Sequence, residues 1–243
     1  MLEQARAELA PTGVLRAGIN LSNFLLVTGR SASGEPEGVS PDMARAVADR
    51  LGVAVEYISF QTPGELADAA TDDVWDIGNI GAEPERAKHI AFTAAYCEIE
   101  STYLVPAGSP IQSIEEVDRE GVRIAVYGRA AYGLWLKDNI RHAELVETDG
   151  MDASFDLFVE QKLDALAGLR PRLIKDVERL PGSRLLDGKF SAVQQAIGTK
   201  PDRKTGAAFL SGFVEEAKAS GFVAGLIRKH GVEGRLMVAP PAA

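Results

Sequence analysis

The chain has one cysteine, three histidines and only 7% aromatic residues in 243 positions. A single thiol, Cys97, leaves neither an internal disulfide nor a cysteine-cluster zinc site to build. The histidines (His89, His142 and His230) have no serine or cysteine at motif spacing, so nucleophilic and metal-dependent catalysis lack support in the sequence. No catalytic residue, metal ligand or cofactor is expected. Positive charge is also short: 26 Lys and Arg stand against 35 Asp and Glu, giving a net charge of −9 and a pI near 5.0. No basic stripe for nucleic acid follows from such a balance, although a local pocket can be positive on an acidic protein. No segment approaches the roughly 18 consecutive apolar residues of a membrane span, so direct insertion is not expected. The opening, MLEQARAELAPTG, has no basic n-region, apolar h-region or cleavage site. Either an export signal has been removed, or the protein stays in the cytosol.

What is present describes a globular α/β chain. Apolar residues make up 46% and charged residues 25%, ordinary for a water-exposed fold. The length exceeds what one core needs and suits two lobes. Val14–Ile19 reads as a first strand, followed by the loop Asn20-Leu21-Ser22-Asn23-Phe24 at its carboxyl end, where ligands of open α/β sheets sit. Thr28 to Gly38 is turn chemistry. Ser40-Pro41-Asp42 predicts a helix start, with Ser40 as N-cap, and Met43, Val47 and Leu51 form its apolar face. Gly52 ends it. Val53–Ile58 is a second strand, and Thr62-Pro63-Gly64-Glu65 a capping box. Strand, helix, strand, helix, strand within a hundred residues predicts a parallel sheet covered by helices.

The stretch from Trp75 to Tyr96, WDIGNIGAEPERAKHIAFTAAY, organises the rest. It reads as a buried strand ending at Asn79-Ile80-Gly81 and a short helix at Pro84-Glu85-Arg86. Glycine at such a junction lets a small molecule approach the backbone. Pro84 suits a first helical turn, whose free N–H groups attract anions. Arg86 offers a fork of donors for a carboxylate.

This stretch resembles the signature of the family 3 extracellular solute-binding proteins, the amino-acid-binding receptors of bacterial ABC transporters. The resemblance extends from about Val14 to about Val232. It implies the type II periplasmic-binding-protein fold: two α/β lobes, each a mostly parallel sheet flanked by helices, joined by two hinge crossovers. Lobe one would comprise residues 1–101 and 195–243, and lobe two residues 102–194. The crossings would lie in the extended segments Tyr96–Pro106 and Ser191–Thr199.

By the same resemblance Arg86 clamps the ligand carboxylate and Asn20 takes a polar place beside it. The ligand-stacking aromatic place falls on Asn23 or, one residue on, on Phe24; the alternative for Phe24 is a side chain buried under the following loop. Asn79, Ile80 and Gly81 complete the lobe-one wall. In lobe two, the loop from Tyr127 through Gly128, Arg129, Ala130 and Ala131 matches the family loop that offers backbone N–H groups to the carboxylate. Hydroxyl residues usual in that loop are replaced by Arg-Ala-Ala. The place of the family's ammonium-binding acid falls on Leu169 or Gly168, and Arg170 stands next to it. Asn79, Glu98 or Glu100 is left to supply the missing oxygen, or the ligand carries no amine. Of the arginines Arg86, Arg129 and Arg170, at least one is expected to face solvent.

The function implied is a monomeric solute-binding receptor, periplasmic by resemblance, that closes over a small carboxylate ligand and engages an ABC-transporter permease. A ligand-sensing regulatory domain and, more remotely, a dehydratase-like enzyme on the same fold are the alternatives. After Phe222–His230, the tail VAPPAA is expected to be loose.

Overall fold

The computed structural model describes residues 2–242. It divides into two compact units, one made of the residues up to Glu98 together with Gln194 onward, the other of Ile99–Val193. Sequence reading put the two crossings at 101/102 and 194/195, whereas the packing puts them at 98/99 and 193/194.

In the first unit the strand Val14–Asn20 lies between Ala54–Phe60 and Ile77–Gly81, parallel to both. Residues 195–199 of the strand Ser191–Thr199 add to Ile77–Gly81 in antiparallel register, with Gln195 opposite Gly81. Ile77–Gly81 is buried throughout, as expected of a strand covered on both faces. Gly78 sits where a Cβ would press on Leu66 and Trp75. These two belong to a cluster with Ala70, Ile80 and Ile90, and the Trp75 indole N–H donates to the Leu66 carbonyl at 3.1 Å. Thr62 and Glu65 form the predicted capping box at the start of Pro63–Asp68.

Two sequence expectations about this unit need correction. The helix expected to start from Ser40 begins at Val39, and Gly38, at φ 152°, holds the cap position. A side chain there would run into the Leu26 carbonyl, and that same carbonyl accepts the Ser40 N–H at 3.1 Å. A tertiary partner therefore replaces the side-chain cap. Nor is the tail loose over its described residues, 238–242; Ala243 lies outside them. Met237–Val238 pairs antiparallel with Glu98 and Cys97, Ala239 N–H donates to Tyr96 at 3.1 Å, and Lys218 Nζ reaches the Pro240 carbonyl at 2.8 Å.

In the second unit Ala165–Leu169 runs parallel to Arg123–Tyr127, which is parallel in turn to Glu144–Thr148. Residues 101–104 of the strand Cys97–Val105 lie antiparallel to Ala165–Leu169, with Ser101 opposite Leu169. Helices Met151–Glu160 and Arg170–Arg179 contribute Phe155, Phe158 and Leu173 to a core with Leu104, Ala125, Leu163 and Leu166. Beyond Leu169, at Arg170-Pro171, the strand gives way at once to a helix. That helix, Arg170–Arg179, has proline in its first turn, a favoured place for it.

Candidate functional site

Each unit brings its candidate residues to the carboxyl ends of its parallel strands. In the first unit, the chain leaves Ile77–Gly81 through Ala82 and Glu83 into the one-turn helix Pro84–Ala87, with Pro84 in the first turn. A helix of four residues is too short to serve as an anion site of its own. Its effect is to turn Arg86 back. The guanidinium NH1 donates to the Gly81 carbonyl at 2.8 Å, and the residue is only 5% exposed. Arg86 thus closes on the end of its own strand, a buried cation held against backbone dipoles. Burial of a guanidinium is costly unless its donors are satisfied, and the Gly81 carbonyl satisfies one of them.

Asn20 ends Val14–Asn20 half-buried, its Oδ1 accepting from Ser22 N–H at 3.1 Å and Ser22 Oγ at 2.7 Å. Asn23 is buried and does turn work: its Oδ1 accepts from the N–H groups of Leu25 and Leu26 at 3.2 and 3.3 Å. This local bonding is the usual use of asparagine in turns. Of the two residues competing for the aromatic place, only Phe24 has the chemistry, and it is half-buried. Ile80 packs into the Trp75 cluster. Asn79 is 2% exposed and its Nδ2 donates to the Ser40 carbonyl at 3.2 Å. Its amide nitrogen is engaged with the helix Val39–Leu51, while its Oδ1 is buried and has no hydrogen-bond partner.

In the second unit, Tyr127 ends its strand buried, Arg129 is exposed, and Ala130 and Ala131 are buried at the start of the helix Ala131–Asn139. Ala130 holds the N-cap position and has no side-chain acceptor to give. The first N–H groups of a helix have no partner within it; just before them, the Ala130 N–H donates to the Tyr127 carbonyl at 3.2 Å. Gly133, which sequence reading passed over, sets the position of this helix. A Cβ there would overlap the Tyr127 carbonyl oxygen and approach Gly128, so only glycine lets the first turn pack so closely on the strand end.

Arg170 is arranged differently. Its Nε donates to Glu100 Oε2 at 2.9 Å, and its NH2 reaches the Gly188 carbonyl. Lys189 Nζ lies 3.5 Å from the other oxygen of Glu100. Arg170 is therefore neutralised within its own unit, and so is Glu100, the acid that could have met an amine. Glu98 accepts from Gln194 Nε2 at 2.9 Å. Arg86 is thus buried, Arg129 exposed, and Arg170 part-buried against Glu100. No signal in the sequence linked Arg170 to Glu100, seventy positions away. Among the described residues there is no group of three or more His, Cys, Asp and Glu side chains able to hold a metal ion, and no helix is long and apolar enough to cross a membrane.

The family model of the bacterial extracellular solute-binding proteins, family 3, matches residues 20–233. The chain belongs to this family. Its fold is that of the two-lobed periplasmic binding proteins, as solved structures bear out. The solute receptor for L-cysteine of Neisseria gonorrhoeae superposes with a TM-score of 0.74 at 18% identity, covering 97% of this chain and 99% of that one. Holo ArgBP from T. maritima gives 0.68 at 20% identity, over 91% and 97%. The ancestral amino acid-binding protein AncCDT-1, a precursor of cyclohexadienyl dehydratase, gives 0.70 at 21% identity, over 91% and 97%. At such identities these structures speak to the fold alone. No curated protein sequence matches the chain.

Proposed function

We propose that this solute-binding protein is the periplasmic receptor of an ABC-type uptake system and closes its two lobes over a small carboxylate-bearing ligand, an amino acid or an organic acid. The observation that carries the reading is Arg86: a guanidinium 5% exposed at the end of a buried strand, within the residues the family model matches. In this reading Arg86 grips the carboxylate, Gly81 allows close approach, and Asn20 and Phe24 shape the wall on that lobe. Tyr127, Ala130 and Ala131 line the ligand from the other lobe at the start of the helix Ala131–Asn139, with Arg129 at the rim. Asn23, Asn79 and Ile80 support the wall from behind, and Arg170 shapes the second lobe through Glu100. Closure is driven by a ligand that binds the closed state better than the open one. A receptor of this kind acts as a monomer, passes its ligand to a permease and performs no chemistry on it.

A thermal-shift screen tests this. Among a panel of amino acids and organic acids, at least one acid should raise the melting temperature, because a ligand of the folded state stabilises it by mass action. Arg86→Ala should abolish that rise. A rise undiminished in the variant removes Arg86 from the site.

A further inference from the structure

Behind the strand that leads to Arg86, three polar atoms from three separate elements are buried and have no hydrogen-bond partner: Ser40 Oγ, Asn79 Oδ1 and the Tyr96 hydroxyl. Their residues are 2%, 2% and 0% exposed. They belong together. Asn79 Nδ2 donates to the Ser40 carbonyl, and the Tyr96 hydroxyl neighbours both Ser40 and Asn79, which partly offset the burial that pushes its phenol well above the ordinary value. The bond to the Ser40 carbonyl fixes the amide orientation, because a flipped Asn79 would set two carbonyl oxygens against each other. Asn79 Oδ1 is thus a pure acceptor beside the Tyr96 hydroxyl, which neighbours Ser40 in turn, and none of the three atoms has a partner of hydrogen-bond geometry.

Buried polar atoms are almost always satisfied by protein or by ordered water, and buried waters typically make about three bonds to such atoms. We infer that Ser40, Asn79 and Tyr96 form a binding site for one internal water molecule that bridges all three. The water accepts from the Tyr96 hydroxyl, donates to Asn79 Oδ1, and shares its remaining hydrogen or lone pair with Ser40 Oγ. Atoms and donors then balance: one acceptor-only group and two hydroxyls around a molecule with two donors and two acceptors.

The place gives the site a purpose. Asn79 lies on the strand that ends at Gly81, the carbonyl that holds Arg86. Ser40 is in the first turn of the helix Val39–Leu51. Tyr96 stands just before the strand that leaves this unit after Glu98, with its N–H on Gln195 and its carbonyl under Ala239. The water ties the arginine-bearing strand, a covering helix and the root of the crossing strand into one rigid piece. This holds whether or not Arg86 meets a carboxylate.

A high-resolution crystal structure of the ligand-free protein tests it, with the melting temperatures of Ser40→Ala, Tyr96→Phe and the double variant. The expected result is one ordered water within hydrogen-bond distance of all three atoms, with the double variant losing less than the sum of the two single losses. Direct side-chain bonds filling the space, or strictly additive losses, would overturn it.

Discussion

The two units carry an arginine at matching places, close after the carboxyl end of a fully buried strand, and use them in opposite ways. Arg86 is buried and folds back on the carbonyl of Gly81; Arg170, its side chain 26% exposed, is spent on Glu100 and Gly188. Both follow a strand of small and aliphatic residues, IGNIG and ALAGL. The contrast shows that the surroundings, not the strand end itself, set how such an arginine is employed. A carboxylate seventy residues upstream decides that for Arg170.

The contrast can be broken most directly at Arg86. Truncating a buried, hydrogen-bonded charge costs about 2–5 kcal/mol of binding, a factor of roughly 30 to several thousand in Kd, measurable by titration calorimetry with whichever acid the screen yields. Arg170→Ala should leave that affinity nearly intact, and an equal loss in both variants would erase the distinction between them. Next in size is Gly133→Ala. The added methyl displaces the first helical turn from the Tyr127 carbonyl, at about 1–3 kcal/mol of stability, read from denaturant unfolding. It should also weaken ligand binding, because Ala130 and Ala131 move with the turn. Smaller still is the link between Arg170 and Glu100. Both side chains are about a quarter to a third exposed (26% and 31%), so a double-mutant cycle should return below about 1 kcal/mol and shrink with added salt.

The smallest effect lies in the first unit, away from Arg86. Burial pushes the Asp42 carboxyl up, but hydrogen bonds from Lys229 and His230, at 2.7 Å each, outweigh it and hold its pKa below the ordinary value. A carboxyl depressed in the folded state contributes stability that is present above its unfolded pKa, near 3.8, and lost as pH falls through the folded value. Melting curves from about pH 6 down to about pH 2, roughly two units either side of the ordinary carboxylate pKa, should show a steeper acid loss for the parent than for Asp42→Asn. Identical slopes would show that the carboxylate contributes nothing.

Much of the architecture was legible because it rests on local rules. The Thr62–Glu65 capping box, the strand Ser191–Thr199 and the turn at Pro84 are written in neighbouring residues. What escaped sequence reading depends on partners far along the chain. Ser40 looks like an N-cap, yet Leu26 does the capping and Gly38 holds the cap position. The tail reads as loose from its prolines and alanines, yet it adds to the strand at Cys97–Glu98. Gly133 gives no signal, because a glycine inside a helix looks like a mild penalty until the strand end beneath it is seen. At the candidate site, the sequence located the strand ends and the arginines but not their employment.

The order of strands and helices, the family and the short motif around Arg86 follow from the amino-acid sequence itself, since periodicity, caps and turns act over a few residues. Which charge is cancelled, which amide faces inward and which hydroxyls are stranded together was settled only by packing. Such outcomes turn on distances of a few ångströms between residues dozens of positions apart, and linear order does not encode those distances.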